Sequence, residues 1–104
     1  MTRHIKLASL GASLLLLATF GSAAAQDTPE EVAAACSANS NAPEDLCDCV
    51  GVSSVDLTAD QRAFYIAALN GNDAETARLR GVMSFDEITG IATFMRDAPA
   101  DCAG

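Results

Sequence analysis

The chain has 104 residues, with 14 acidic against 6 basic side chains and a formal net charge of −8. Such an excess of carboxylates argues against binding a phosphate backbone or an anionic membrane surface. The one histidine, His4, falls in a segment expected to be removed, which would leave no imidazole for a general base, a nucleophile pair or a metal site.

Arg3, His4 and Lys6 form a short positive start, followed by the apolar run LASLGASLLLLATF and the small-residue stretch GSAAAQD. The run is too short to span a bilayer. Ala23 and Ala25 supply the A-x-A pattern of a signal-peptidase site, so cleavage is expected after Ala25. No twin arginine is present, which favours the general secretory route. Cys36 stands too far beyond the apolar run to be a lipid-attached cysteine. The expected organisation is therefore a signal peptide over residues 1–25 and one small domain over residues 26–104, in the periplasm or secreted.

The domain would keep Arg62, Arg78, Arg80 and Arg96 against fourteen acids, a formal charge of −10, and no lysine. Without lysine there is no Schiff base, and carboxylate-only catalysis needs a larger cleft than 79 residues of short helices provide. A non-enzymatic protein without cofactor or metal is expected. The acids are unevenly spread: residues 26–57 hold seven and no base, while residues 58–104 hold seven and all four arginines. The N-terminal half is thus suited to a cationic partner, or simply to solvation.

In chain order, Thr28, Pro29 and Glu31 mark a helix start with a capping box. The polar stretch SANSNAP ends that helix. Pro43, Glu44 and Asp45 open a second helix, expected to weaken after Gly51. Thr58 and Gln61 form another capping box, and Gly71 sits where a left-handed terminal residue belongs. A short fourth helix fits between Asn72 or Asp73 and Gly81. Ser84 and Glu87 cap a fifth, with Met83 and Ile88 as a hydrophobic staple and Pro99 as its latest end. Sustained strand alternation is missing. The fold class is all-α: a small bundle of four to five short helices.

Helical spacing places Phe85, Ile88, Ile91, Ala92 and Met95 on one inward stripe of the last helix, with Phe94 off it. In the third helix Leu57, Phe64 and Ala68 share a side, while Ile66 and Leu69 point elsewhere. A helix apolar on two sides is either central and buried, or leaves Ile66, Leu69 and Phe94 as a surface for a partner or a lipid-like ligand.

Four cysteines remain: Cys36, Cys47, Cys49 and Cys102. An even count in a short exported chain points to two disulfides. Cys47 and Cys49 lie two apart on a helix and project about 200° from each other, so each needs a different partner. A hairpin about residues 40 and 41 brings Cys36 level with Cys47, which favours Cys36–Cys47 with Cys49–Cys102 over the crossed pairing. The acids Glu44, Asp45 and Asp48 around LCDCV oppose a redox-active thiolate. A Cys-x-Cys pair with no neighbouring histidine or methionine also makes a poor metal clasp.

The function expected is an interaction module. No family motif is matched. Only the layout resembles periplasmic acid-stress chaperones in outline, which implies a holdase that exposes apolar surface once its carboxylates protonate, at about pH 4 or below. A thiol-redox or metal carrier using the Cys-x-Cys is the remaining alternative.

Overall fold

A computed structural model describes residues 26–104; the expected signal segment, residues 1–25, lies outside the described residues. Thr28 opens α1 (Pro29–Asn39) with a reciprocal cap: its side chain accepts the Glu31 N–H, and the Glu31 carboxylate takes the backbone N–H of Thr28 and Asp27. A short link follows, and α2 (Glu44–Ser53) starts at Pro43 with no side-chain cap bond. It outruns Gly51 and tightens into a 3-10 turn over Ser54–Asp56, where the buried Ser54 hydroxyl donates to the Gly51 carbonyl at 2.6 Å.

Thr58 and Gln61 cap α3 (Ala59–Leu69) reciprocally. Gly71, at φ +71°, turns the chain out of it. The Asn72 N–H reaches the Ala67 carbonyl and the Gly71 N–H the Ala68 carbonyl, so the last turn is closed in a Schellman motif. Asn72 then caps α4 (Asp73–Val82), and Ser84 with Glu87 caps α5 (Phe85–Ala103). Five α-helices and one 3-10 turn account for the described elements, and the fold is all-α.

Two expectations about α5 are corrected. Pro99 does not end the helix, which continues through it to Ala103. An interior proline loses one backbone hydrogen bond and crowds the carbonyl four residues back, a cost of about 3 kcal/mol. That carbonyl belongs to Met95, an exposed residue, and the turn beyond Pro99 is fixed by the Cys49–Cys102 bridge.

The inward face is also rotated from the expected stripe. Ile91 and Ala98 are buried, and Ile88, Phe94 and Cys102 pack against the core. Phe85 is 81% exposed, and Ala92 and Met95 face outward as well. The bridge at Cys102 selects this face: Ile91, Phe94, Ala98 and Cys102 recur at i+3 and i+4 steps that end on the sulfur.

Helix α3 is the centre of the bundle, packed on α1, α4 and α5, while α2 packs on α1 and α5. Val32 and Ala35 of α1, Val50 of α2, Tyr65 and Ile66 of α3, Leu79 of α4 and Ile91 of α5 form one core with Met83. Helices α1 and α2 approach closely at Gly51: a Cβ there would come within 2.9 Å of both the Ala33 Cβ and the Pro29 carbonyl oxygen. Glycine lets α2 lie against α1 at a distance that no side chain permits.

Candidate interaction site between the first two helices

Cys36 is bonded to Cys47 and Cys49 to Cys102, with Cα–Cα distances of 5.5 and 5.8 Å. This is the favoured pairing. The α1–α2 hairpin sets Cys36 beside Cys47, and the helical offset turns Cys49 toward the end of α5. Every cysteine is bonded, so the Cys-x-Cys carries no thiol, and it acts as the junction of two staples. Among the described residues no group of three or more histidine, cysteine or carboxylate side chains comes together in a way that holds a metal. No described helix is long and apolar enough to cross a membrane.

The surface suggested by Ile66, Leu69 and Phe94 is not open. Ile66 retains 3% of its exposure, and Leu69 and Phe94 are half-buried against the core. Phe94 sits edge-on to Tyr65, ring centroids 5.4 Å apart, a favoured aromatic geometry. The physical reason is the central place of α3: α1 covers one side of it and α4 and α5 cover the others, which also buries Tyr65 and Ala67.

The four described arginines are occupied. Arg78 is paired with Glu75 and Arg96 with Asp97, and Arg80 lies over the Phe64 ring at 5.4 Å. Each of these paired carboxyls is held below its ordinary range, first by the arginine hydrogen bond and then by its charge. Arg62 acts on the backbone: it donates to the carbonyls of Asp27, Ser54 and Leu57, the last at 2.7 Å. One guanidinium thereby ties the lead into α1, the 3-10 turn and the start of α3. Sequence reasoning missed this clamp, since a lone arginine after a helix cap carries no signal of which carbonyls will surround it.

On α1 and α2 the surface is open and acidic. A groove of about 230 Å³ runs between them, lined by Pro29, Glu30, Ala33, Asp48, Gly51 and Val52. Its floor is apolar. Val52 is 72% exposed beside it, and Val55 extends the exposed apolar surface along the 3-10 turn. Glu30 stands on the α1 side and Asp48 on the α2 side. Glu44 precedes Asp48 by four residues, so Glu44, Asp48 and Val52 share one helix face. Among the described residues Glu30, Glu44, Asp45, Asp48 and Asp56 are exposed and make no ion pair. The groove exists because Gly51 draws the helices together, a feature whose only sequence signal was a glycine inside a helical pattern.

This fold and surface define a small acidic all-α protein with two disulfides. No protein-family model, curated protein or solved structure matches the chain.

Proposed function

We propose that the chain is an exported, non-enzymatic interaction module, periplasmic or secreted, that offers the α1–α2 groove to a cationic protein partner. The observation that carries this reading is the placement of Glu30 and Asp48, unpaired among the described residues, on opposite sides of an apolar floor. Steering by such charges speeds encounter and selects sign, while the apolar floor supplies the contact that holds. The signal-like start and the two disulfides support an oxidising compartment outside the cytosol.

The test is an NMR titration with a short amphipathic helix of leucine and lysine. Saturable shifts at Ala33, Asp48 and Val52 are expected, lost at high salt and in a Glu30→Gln/Asp48→Asn variant. Binding that survives both changes, or shifts spread over the whole surface, would defeat the proposal.

A second reading, an acid-triggered holdase, draws on Glu87, whose carboxylate accepts from the Ser84 N–H and the Thr58 hydroxyl and so links the starts of α3 and α5. Its protonation loosens that link while the staples keep the rest assembled. Binding of a hydrophobic dye through an acid titration tests it, and fluorescence that rises only with global unfolding excludes it.

A further inference from the structure

A second cavity, independent of the groove, opens between α1, α2, α3 and the end of α5. Its volume is about 180 Å³, and its walls include Cys36, Leu46, Val50, Leu69, Pro99 and Tyr65. The lining is almost wholly apolar. Tyr65 is 6% exposed, and its hydroxyl makes no hydrogen bond among the described residues.

That sets Tyr65 apart from the other buried polar side chains. The Gln61 amide donates to the Glu87 carbonyl, the Ser54 hydroxyl to the Gly51 carbonyl and the Thr76 hydroxyl to the Asp73 carbonyl. Buried tyrosine hydroxyls ordinarily find a partner too. The one other hydroxyl on the wall, that of Ser40, is already committed to the Cys36 carbonyl at 2.7 Å. A bridging water needs two to four polar partners, and this wall has one free group. An apolar cavity of about 150 Å³ admits a benzene-sized molecule.

We infer that this cavity binds a small, largely apolar molecule of single-ring size bearing one hydrogen-bonding oxygen, which pairs with the Tyr65 hydroxyl. Leu46, Val50 and Leu69 enclose the ring, and the half-buried Pro99 closes the side toward α5. The inference gives the helical Pro99 a role: its ring is a wall with no N–H of its own to satisfy. Burial pushes the Tyr65 phenol up from its ordinary value, which keeps it a neutral donor.

The chain has one tyrosine and no tryptophan, so tyrosine emission reports this site alone. The experiment titrates the oxidised protein with cyclohexanol, following tyrosine emission and the methyl NMR signals of Leu46, Val50 and Leu69. Saturable changes confined to these groups are expected. Tyr65→Phe should bind cyclohexanol about tenfold more weakly, the worth of one hydrogen bond, yet bind methylcyclohexane as the wild type does. Leu69→Phe, which fills the cavity from a half-buried position, should abolish both. Changes that never saturate, or cyclohexanol binding unaltered in Tyr65→Phe, would overturn the assignment.

Discussion

Helices α2 and α4 are each ten residues long, yet they are secured by different means. Helix α2 has no side-chain cap, and instead carries Cys47 and Cys49, each bridged to a different helix, with Gly51 pressed on α1. Helix α4 has no cysteine. It is capped by Asn72, rests on α3 and contributes one large side chain, Leu79, to the core at 1% exposure. Cross-links act chiefly by restricting the unfolded chain, whereas a cap and a core leucine act in the folded one. A domain this small has too little apolar area to secure every helix by burial. Covalent closure stands in where the acidic α2 would otherwise be weakest.

The largest expected effect comes from breaking the long staple. Replacing Cys49 and Cys102 by alanine reopens a loop spanning 53 positions, worth about 4 kcal/mol of loop-closure entropy. Urea unfolding of the oxidised variant should show that loss, with amide exchange rising first in the last turn of α5 beyond Pro99. The Cys36–Cys47 pair closes only 11 positions and should cost about 3 kcal/mol. Equal losses from both pairs would mean that loop closure is not the main term.

Leu79→Ala is the corresponding break in α4. Removing a fully buried leucine costs about 2–5 kcal/mol, and with no bridge to retain it α4 should exchange its amides well before α1 and α2 do. If exchange in Leu79→Ala rises uniformly over all five helices, α4 is no separate unit and the contrast with α2 fails.

Much of this contrast was legible in the residues. Capping boxes at Thr28, Thr58 and Ser84 and the glycine at position 71 are local chemistry, readable because each partner lies within three or four positions. The disulfide pairing followed from helical geometry once a hairpin was assumed. The α5 face did not follow. Apolar spacing alone fits both the stripe through Phe85 and Met95 and the true one through Phe94 and Ala98, and only the tertiary anchor at Cys102 separates them. The same anchor carries the helix past Pro99. The α1–α2 groove was half visible, as an excess of acid without its floor, because the approach at Gly51 depends on two helices meeting.

Two glycines sharpen the comparison. At Gly51 an added methyl meets the Ala33 Cβ and the Pro29 carbonyl oxygen at 2.9 Å, and neither belongs to a flexible side chain. Gly51→Ala should therefore cost about 1–3 kcal/mol and widen the groove. At Gly81, in α4, an added methyl meets nothing within 4 Å. Gly81→Ala should stabilise by about 0.4–1 kcal/mol through the less flexible unfolded chain. Unfolding midpoints that move in opposite directions are the expected result; a neutral Gly51→Ala would show that the two helices have room to slide.

The smallest effect concerns the charge-dependent joint between the two regions. Glu87 is partly exposed, and its carboxyl is held below the ordinary range, first by the Ser84 backbone N–H and next by the Thr58 hydroxyl. A carboxyl depressed in the folded state contributes stability that is present above its unfolded pKa and lost as pH falls through the lowered folded value. Between about pH 5 and about pH 3 the wild type should thus lose more stability than Glu87→Gln, whose amide still accepts at the cap but does not titrate. Glu75 and Asp97, also depressed, titrate alike in both proteins and cancel from the difference. A matched decline in the two proteins would remove Glu87 as an acid-sensitive link. A steeper wild-type decline, with amide exchange rising first at the starts of α3 and α5, would place the acid response at Glu87, the one carboxylate among the described residues that joins two helices through side-chain and cap bonds, while α1 and α2 stay stapled.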